Sequence, residues 1–178
     1  MNKAKPQPAA RRPRKTRAVD VDFRDMPACT NTAMRLASRR LGNLYDDAFA
    51  SVGLKATQVS LLAEVDRLTS AGQGKPPTLQ ELSLKLAILM SALTHALRPL
   101  VRDGLLELRQ DADDGRTKRA ALTRLGVTRL GEAGERWSVV NQSVEKVLGT
   151  ESAATLRALA DRVASDEFLL AFQKVASG

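Results

Sequence analysis

A charged nonapeptide, DADDGRTKR at residues 111–119, constrains the fold more than any other stretch of this chain. Three carboxylates fill four positions and are followed, after one glycine, by three cations in four positions. Such a segment is too short and too rich in turn-forming residues for a helix surface, and it is too charged for a core. The segments on either side, GLLELRQ and KRAALT, predict short strands. We therefore predict a β-hairpin that has the nonapeptide at its tip.

Two helices are predicted at the start of the globular part, because apolar residues recur there at every third or fourth position. The first covers about residues 34–52 and ends near Gly53. The second covers about residues 59–68 and is followed by the loop SAGQGKPP.

Two further helices are predicted directly before the hairpin. Thr78 and Glu81 have the spacing of a capping box, in which each side chain accepts a hydrogen bond from the other residue's amide. The next helix covers about residues 90–102, and Pro99 should bend or loosen it because proline removes a backbone donor. Gly104 should end it.

A long helix is predicted after the hairpin, over residues 123–149, with further apolar helical segments at 152–164 and 168–172. Its apolar positions follow a spacing of three and four that is typical of a coiled-coil seam, although a face buried within the chain would show the same pattern. These positions are Leu130, Ala133, Trp137, Val140, Val144 and Val147. Two short helices, a hairpin and long flanking helices predict a mainly α fold, a winged helix-turn-helix with a two-stranded wing.

The net charge of +8 is concentrated at the N-terminus. Residues 1–19 hold seven basic residues and no acid, so the rest of the chain is close to neutral. The segment also contains three prolines and few residues able to pack, which predicts a disordered basic arm over residues 1–25. An arm of this kind suits contacts to phosphates that do not depend on sequence. The alternative is a solubilising tail without a partner.

Composition argues against several other classes of protein. One cysteine permits no intrachain disulfide, and no apolar run reaches the roughly 18–20 residues that span a bilayer, so we predict a cytoplasmic protein. One histidine, one cysteine, no glycine-rich phosphate loop and no clustered metal ligands predict that the chain is not an enzyme and needs neither cofactor nor metal.

Four segments together resemble the MarR family of bacterial transcriptional regulators. They are GLKATQVSLL, TLQELSLKLA, SALTHALRPLVRDGLLEL and DADDGRTKRAALTRLG. The resemblance implies a winged helix-turn-helix at about residues 54–124, within a single domain at 26–178. It also implies a homodimer paired through helices at about 28–52 and 124–176, and a nucleoid-associated role in the bacterial cytoplasm.

The chain departs from the family pattern at three places. Gly115 and His95 stand where arginine is frequent. Leu89 and Met90 replace polar residues at the start of the recognition helix, which predicts a poor N-cap. These departures concern operator preference and not DNA binding as such, since Arg98, Lys118 and Arg119 remain.

The predicted DNA-binding residues lie on the fourth helix and on the wing. Ser91, Thr94, His95 and Arg98 recur at helical spacing and should share one exposed face, which could also be an ordinary solvated face. On the wing, Asp114 should hold Arg116 extended toward a minor groove, and Lys118 and Arg119 should contact flanking phosphates. A dimer would present two such helices to a pseudo-palindromic operator in double-stranded DNA.

The predicted effector site is on the first helix. Arg35 and Arg39 share a face and, with Tyr45, could bind a carboxylate or phosphate; the arginines could equally pair with Asp46 or Asp47, or contact DNA. The resemblance favours a repressor that a small anionic, aromatic ligand releases from its operator.

Three alternatives stay open at this point. One is a thiol-based redox regulator acting through Cys29, which could instead be a simple packed cysteine. The second is an architectural DNA-binding protein without an effector, driven by the basic arm. The third is a helical protein-interaction module.

Overall fold

The structure is a computed structural model, and it describes residues 29–177. Within that range the chain forms seven α-helices and one two-stranded antiparallel sheet. The elements are α1 (Thr30–Phe49), a short 3-10 turn (Ala50–Val52), α2 (Ala56–Ala71), α3 (Leu79–Lys85), α4 (Met90–Arg102), β1 (Leu106–Gln110), β2 (Lys118–Leu122), α5 (Arg124–Leu148), α6 (Thr150–Val163) and α7 (Asp166–Ala176). The predicted arm at residues 1–25 lies outside the described residues. The architecture confirms the predicted winged helix-turn-helix.

The core lies between α2, α3, α4 and the hairpin. Its largest fully buried side chains include Leu82 of α3, Leu106 of β1, and Leu93, Leu97 and Leu100 of α4. The three leucines of α4 are spaced by four and three residues, so they form one stripe along the helix. Burying that stripe fixes the rotation of α4 and leaves its opposite face in solvent.

Local hydrogen bonds set where the helices begin. The Thr78 hydroxyl accepts from the Glu81 amide at 3.1 Å, and the Glu81 carboxylate accepts from the Thr78 amide at 2.6 Å, which confirms the predicted capping box at α3. The Thr123 hydroxyl accepts from the Gly126 amide at 3.0 Å and donates to the Gly104 carbonyl at 2.6 Å. Thr123 therefore both caps α5 and ties it to the end of α4.

Gly126 has a steric role at the same junction. A Cβ built on it would lie 2.0 Å from the carbonyl oxygen of Leu105. Any residue with a Cβ would overlap with this oxygen. The glycine therefore allows α5 to pack directly on the backbone that leads into β1. The threonine and glycine of the segment LTRLG thus serve the packing of the wing against α5.

The hairpin register pairs Leu106 with Leu122 at its base and Gln110 with Lys118 near its tip. On its other edge, β2 receives a third segment, because the Ala120 amide donates to the Pro77 carbonyl at 2.9 Å. The wing is consequently fixed to the segment that leads into α3. The position of its tip relative to α3 and α4 follows from this pairing.

The structure also refines the predicted limits. The helix α1 begins at Thr30, four residues before the first apolar position used in the prediction, and α4 continues past Pro99 to Arg102. The predicted seam of α5 is buried only in part: Ala133 is buried, whereas Trp137 is half-exposed and Val147 is 87 % exposed. Packing within the chain therefore accounts for the first part of the seam, but it does not account for the exposed residues further along.

Within residues 29–177, no single helix is both long enough and apolar enough to cross a membrane, while α3 and α4, bent by 110° at the turn between them, meet the same length and composition criteria as a pair.

Candidate nucleic-acid interface

The outer face of α4 carries the four side chains predicted for DNA contact. Ser91, Thr94, His95 and Arg98 are all exposed. The Thr94 hydroxyl donates to the Met90 carbonyl at 2.8 Å, so it faces an outside partner as an acceptor. The face therefore presents one guanidinium, one imidazole and two hydroxyl groups, a set able to contact phosphates or base edges.

The turn between α3 and α4 is held by a pair of hydrogen bonds. The Ser83 hydroxyl donates to the Ile88 carbonyl at 2.7 Å, and the Ile88 amide donates to the Ser83 carbonyl at 3.1 Å. Ala87 adopts a left-handed conformation with φ of 50°, which a residue with a Cβ rarely adopts. Leu89 occupies the N-cap of α4 without a side-chain cap hydrogen bond, in agreement with the poor cap predicted from the sequence.

The tip of the wing is shaped by Asp114, the residue predicted to orient Arg116. Its carboxylate accepts from the backbone amide of Arg116 at 3.0 Å and from the Thr117 hydroxyl at 2.8 Å. This is an Asx-type turn, which a short carboxylate stabilises by bonding two residues ahead. Asp114 therefore orients the backbone that carries Arg116, rather than pairing with its guanidinium. The Arg116 side chain is exposed.

A buried ion pair that the sequence analysis did not predict lies at the base of the wing tip. Asp111 is buried and accepts from the amides of Asp113 at 2.9 Å and Asp114 at 3.1 Å. It also accepts from the guanidinium of Arg119. The hydrogen bond from Arg119, followed by those from the two amides, lowers the pKa of Asp111 to about 2.

Arg119 is engaged inside the protein by these contacts. Besides its pairing with Asp111, its guanidinium donates to the Pro76 carbonyl at 2.6 Å, and its side chain is mostly buried. The sequence predicted a phosphate contact for Arg119, but the structure places it as a link between β2, the wing tip and the segment before α3. Lys118, its neighbour in β2, is exposed. The sequence did hold a signal for this ion pair, because Asp111 directly follows β1 and Arg119 is the second residue of β2.

A groove joins the wing to the start of α4. It has a volume of about 260 Å³ and is lined by Thr78, Leu79, Gln80, Met90, Arg116, Thr117 and Lys118. The two cations of the wing and the first residue of α4 therefore face the same space. The wing and α4 form one continuous surface.

A larger cavity of about 570 Å³ lies between α1, α2 and α5. Its lining is Leu41, Gly42, Tyr45, Phe49, Ala56, Val59, Ser60, Ala63, Asp66, Leu130, Gly134 and Trp137. Among these described residues, Asp66 alone carries a charge. The Tyr45 hydroxyl donates to the Asn141 side chain at 3.1 Å, and burial, followed by the nearby Glu145 carboxylate, raises the pKa of Tyr45.

The other two predicted effector residues are not part of this lining. Arg35 and Arg39 are exposed on α1, and Arg39 is not part of the cavity lining. Asp46 is engaged by the Ala56 amide at 2.7 Å and by the Lys55 ammonium at 3.4 Å, not by an arginine. Cys29 is exposed at the start of α1, where hydrogen bonds from the amides of Thr32 and Asn31 lower the pKa of its thiol.

Comparison with known proteins relates this geometry to solved structures. Neither the family models nor the curated proteins contain a match to the chain. The M. tuberculosis transcriptional regulator MosR, solved in complex with DNA, is 31% identical; the match covers 75% of this chain and 96% of that one, with a TM-score of 0.61.

Two other solved structures share the fold at lower identity. The transcriptional repressor CouR, bound to a 23-mer DNA duplex, is 20% identical over 82% of this chain and 99% of its own, with a TM-score of 0.69. A mutant of E. coli MarR complexed with operator DNA is also 20% identical, over 82% of this chain and 100% of its own, with a TM-score of 0.70. Taken with the extent and identity of the MosR match, these findings show that the chain belongs to the MarR family of transcriptional regulators.

Proposed function

We propose that this protein is a homodimeric repressor that binds a pseudo-palindromic operator in bacterial chromosomal DNA through α4 and the wing. The observation that carries the proposal is the single surface formed by the exposed face of α4 and the groove beside Arg116 and Lys118. MosR, CouR and the MarR mutant were each solved with DNA, which supports this use of the shared fold.

Each residue of that surface has a distinct role in the proposal. Arg98 binds a guanine edge or a phosphate, while Ser91, Thr94 and His95 contact the neighbouring bases or backbone. Arg116 enters the minor groove, where negative potential is concentrated, and Lys118 contacts a flanking phosphate. Asp114 and Arg119 act indirectly, because their contacts shape the wing.

The proposed dimer uses the apolar faces that the chain leaves uncovered. Exposed large side chains line α6 and α7, among them Leu159, Phe168, Leu169, Leu170 and Phe172. Several exposed large apolar side chains on two consecutive helices indicate an interaction site in a folded protein. Pairing two copies there would present two α4 helices to half-sites one turn of DNA apart, which is why we expect a pseudo-palindrome.

The proposed effector site is the cavity between α1, α2 and α5. Its size and largely apolar lining suit a small ligand, and Tyr45, Ser60 and Trp137 supply polar or aromatic contacts. Its single charge is an acid, and Arg39 lies outside the lining. We therefore propose an apolar ligand without a negative charge, in place of the anion suggested by Arg35 and Arg39 on the sequence alone. Ligand binding there would change the geometry of the two α4 helices and release the operator.

DNA titration followed by fluorescence anisotropy tests the DNA-binding part of the proposal. The full chain would be titrated with the DNA upstream of its own gene, at near-physiological salt and with excess nonspecific competitor. We expect competitor-resistant binding that Arg98→Ala and Arg116→Ala each weaken by about 5- to 100-fold, as expected for the loss of a base-reading or groove-bound arginine. Arg136→Ala, which removes an exposed arginine from α5, is the matched control. Equal binding by all four proteins would contradict the proposed interface.

The ligand part has a built-in reporter, because Trp137 is the one tryptophan of the chain and lines the cavity. Its fluorescence should change on titration with an apolar neutral or cationic compound that also releases the operator. Ala63→Phe fills part of the cavity without adding a second tryptophan, and it should abolish both effects while leaving DNA binding intact. A compound that releases DNA equally well from Ala63→Phe would place the effector elsewhere.

A further inference from the structure

Four consecutive apolar residues, at positions 87–90, are exposed in the turn that leads into α4. Leu89 is 77 % exposed, Met90 42 % and Ile88 37 %. A run of this length on a surface is unfavourable in water and is usually retained only where it contacts a partner. The outward position of Leu89 and Met90 needs an explanation that core packing does not supply.

The turn holds these side chains in a fixed place. The Ser83 hydroxyl and the Ile88 carbonyl are hydrogen-bonded, and the Ala87 amide donates to the Leu84 carbonyl at 3.1 Å. Ala87 takes up the left-handed conformation that closes the turn. Leu89 then occupies the N-cap of α4 and Met90 its first position. Both are therefore presented at the leading end of the helix by a preorganised backbone.

The same two residues adjoin the proposed DNA-binding surface. Met90 lines the groove that also contains Arg116, Thr117 and Lys118. Ser91 follows directly along α4, and Thr94 bonds back to the Met90 carbonyl at 2.8 Å. Met90 thus shares a groove with the wing cations and adjoins the hydroxyl groups of α4, which favours a partner that combines negative charge with an exposed apolar group.

The major groove of DNA offers that combination at one base only. Thymine exposes a C5-methyl group on the groove floor, between the phosphates of the two strands, whereas the other bases show donors and acceptors there. The leading end of a recognition helix is the part that reaches the base edges. A polar N-cap residue would stabilise α4 more than leucine does. Leucine at this position is thus unfavourable for the free helix and suits a methyl-lined groove.

We propose that Leu89 and Met90 contact thymine C5-methyl groups in the major groove, so that each operator half-site carries thymine at the position facing the start of α4. The inference rests on the proposed function, because it requires operator binding through α4. It adds two residues that determine specificity to the polar set on the same helix.

Deletion of single methyl groups from the operator tests this directly. An operator would be selected with the full chain from a pool of randomised duplexes. Each thymine would then be replaced by deoxyuridine, which removes the methyl and keeps the base-pairing groups. Binding would be measured by anisotropy for the wild type, Leu89→Ser, Met90→Gln and the control Val127→Ser, which replaces an exposed valine on α5. Serine is a favoured N-cap residue and glutamine a good helix former, so both variants should fold.

For the wild type and for Val127→Ser, we expect removal of the methyl at one thymine position in each half-site to weaken operator binding by about fourfold per methyl. This is the effect of burying one methyl-sized group. Leu89→Ser or Met90→Gln should bind the thymine and uracil operators equally, with unfolding temperatures no lower than that of the wild type. If no thymine-to-deoxyuridine replacement weakens binding by the wild type, this inference is overturned and the proposed function stands. The same holds if the effect of the methyl persists in both variants. Failure to enrich any sequence would overturn both.

Discussion

The winged helix-turn-helix and the C-terminal helices are built from similar leucine-rich sequences but bury them very differently. Leu82, Leu93 and Leu97 are almost completely inaccessible, whereas Leu159, Leu170 and Phe172 are more than half exposed. The first region buries its core leucines within one chain, and the apolar run that ends in Leu89 and Met90 is its exposed exception. The second presents a surface that is unfavourable in water until something covers it. The contrast separates a part that folds around its own core from a part that we propose is completed by a second copy.

The largest effect should come from the region with the core. Leu97→Ala removes a buried side chain from the centre of the α4 stripe and leaves a cavity, so we expect the free energy of unfolding to fall by about 2–5 kcal/mol. Val127→Ala, at an exposed position of α5, should change it by less than about 0.5 kcal/mol. Urea unfolding at two protein concentrations measures both. An effect of Leu97→Ala that vanished at high concentration would assign this stripe to an interface.

The C-terminal helices should respond through association. Phe168→Ser combined with Phe172→Ser removes two exposed rings one turn apart on α7, and should raise the dimer dissociation constant by about 10- to 100-fold. Helix content should be retained because neither ring supports a core within the chain. Sedimentation velocity over a concentration series gives the constant, with Lys174→Ala on the same helix as the control. Identical sedimentation of variant and wild type would remove α7 from the dimer interface.

The junction between the two regions depends on one glycine. Gly126→Ala places a methyl group against the Leu105 carbonyl, and the overlap should destabilise the protein by about 1–3 kcal/mol through displacement of α5 or of the hairpin. Gly131→Ala, five residues further along α5, meets no neighbouring atom and should stabilise by about 0.5–1 kcal/mol through helix propensity. Thermal unfolding of both variants distinguishes the cases, and similar shifts for the two would show that the close approach is not needed.

The smallest effect should be confined to the wing and should depend on pH. The pKa of Asp111 is lowered to about 2 from an ordinary value of 3.8, so its contribution to stability is present above about pH 4 and is lost as the pH falls toward 2. Asp111→Asn should lower the unfolding temperature at neutral pH, and the gap to the wild type should close between about pH 4 and 2. Asp113→Asn removes an exposed carboxylate of the same turn and should have little effect at any pH. If the difference in unfolding temperature between the wild type and Asp111→Asn stayed constant across this range, the ionisation of Asp111 would not contribute to the stability of the wing.

Local signals in the sequence were enough to predict the elements of the fold. The limits of α4 and the capping box of α3 follow from leucine spacing and from Thr78 with Glu81, which act over one or two helical turns. The prediction of a helix at residues 152–164 and a separate apolar segment after it was also close, since Ser165 begins α7 with its own cap. These features depend on neighbours in sequence, so a single sequence is enough to predict them.

Contacts between residues that are distant in the sequence could not be predicted from these local signals. Arg119 was predicted to contact a phosphate, and its internal partners could not be seen in the sequence: Asp111 is reached through the hairpin and Pro76 lies 43 positions away. Asp114 was predicted to orient Arg116, but the sequence did not show that it would do so through the backbone amide of Arg116. The cavity between α1, α2 and α5 is assembled from residues between Leu41 and Trp137, and its single acid could be placed there only once these helices had been positioned.

The central claim is that two copies of this chain, joined through helices that one copy leaves exposed, bind one operator together. Native mass spectrometry of the full chain with its selected operator duplex tests it most directly. We expect a complex of two chains on one duplex, reduced to free DNA and single chains by the double α7 substitution. A stable complex of one chain per duplex, unaffected by that substitution, would contradict the claim.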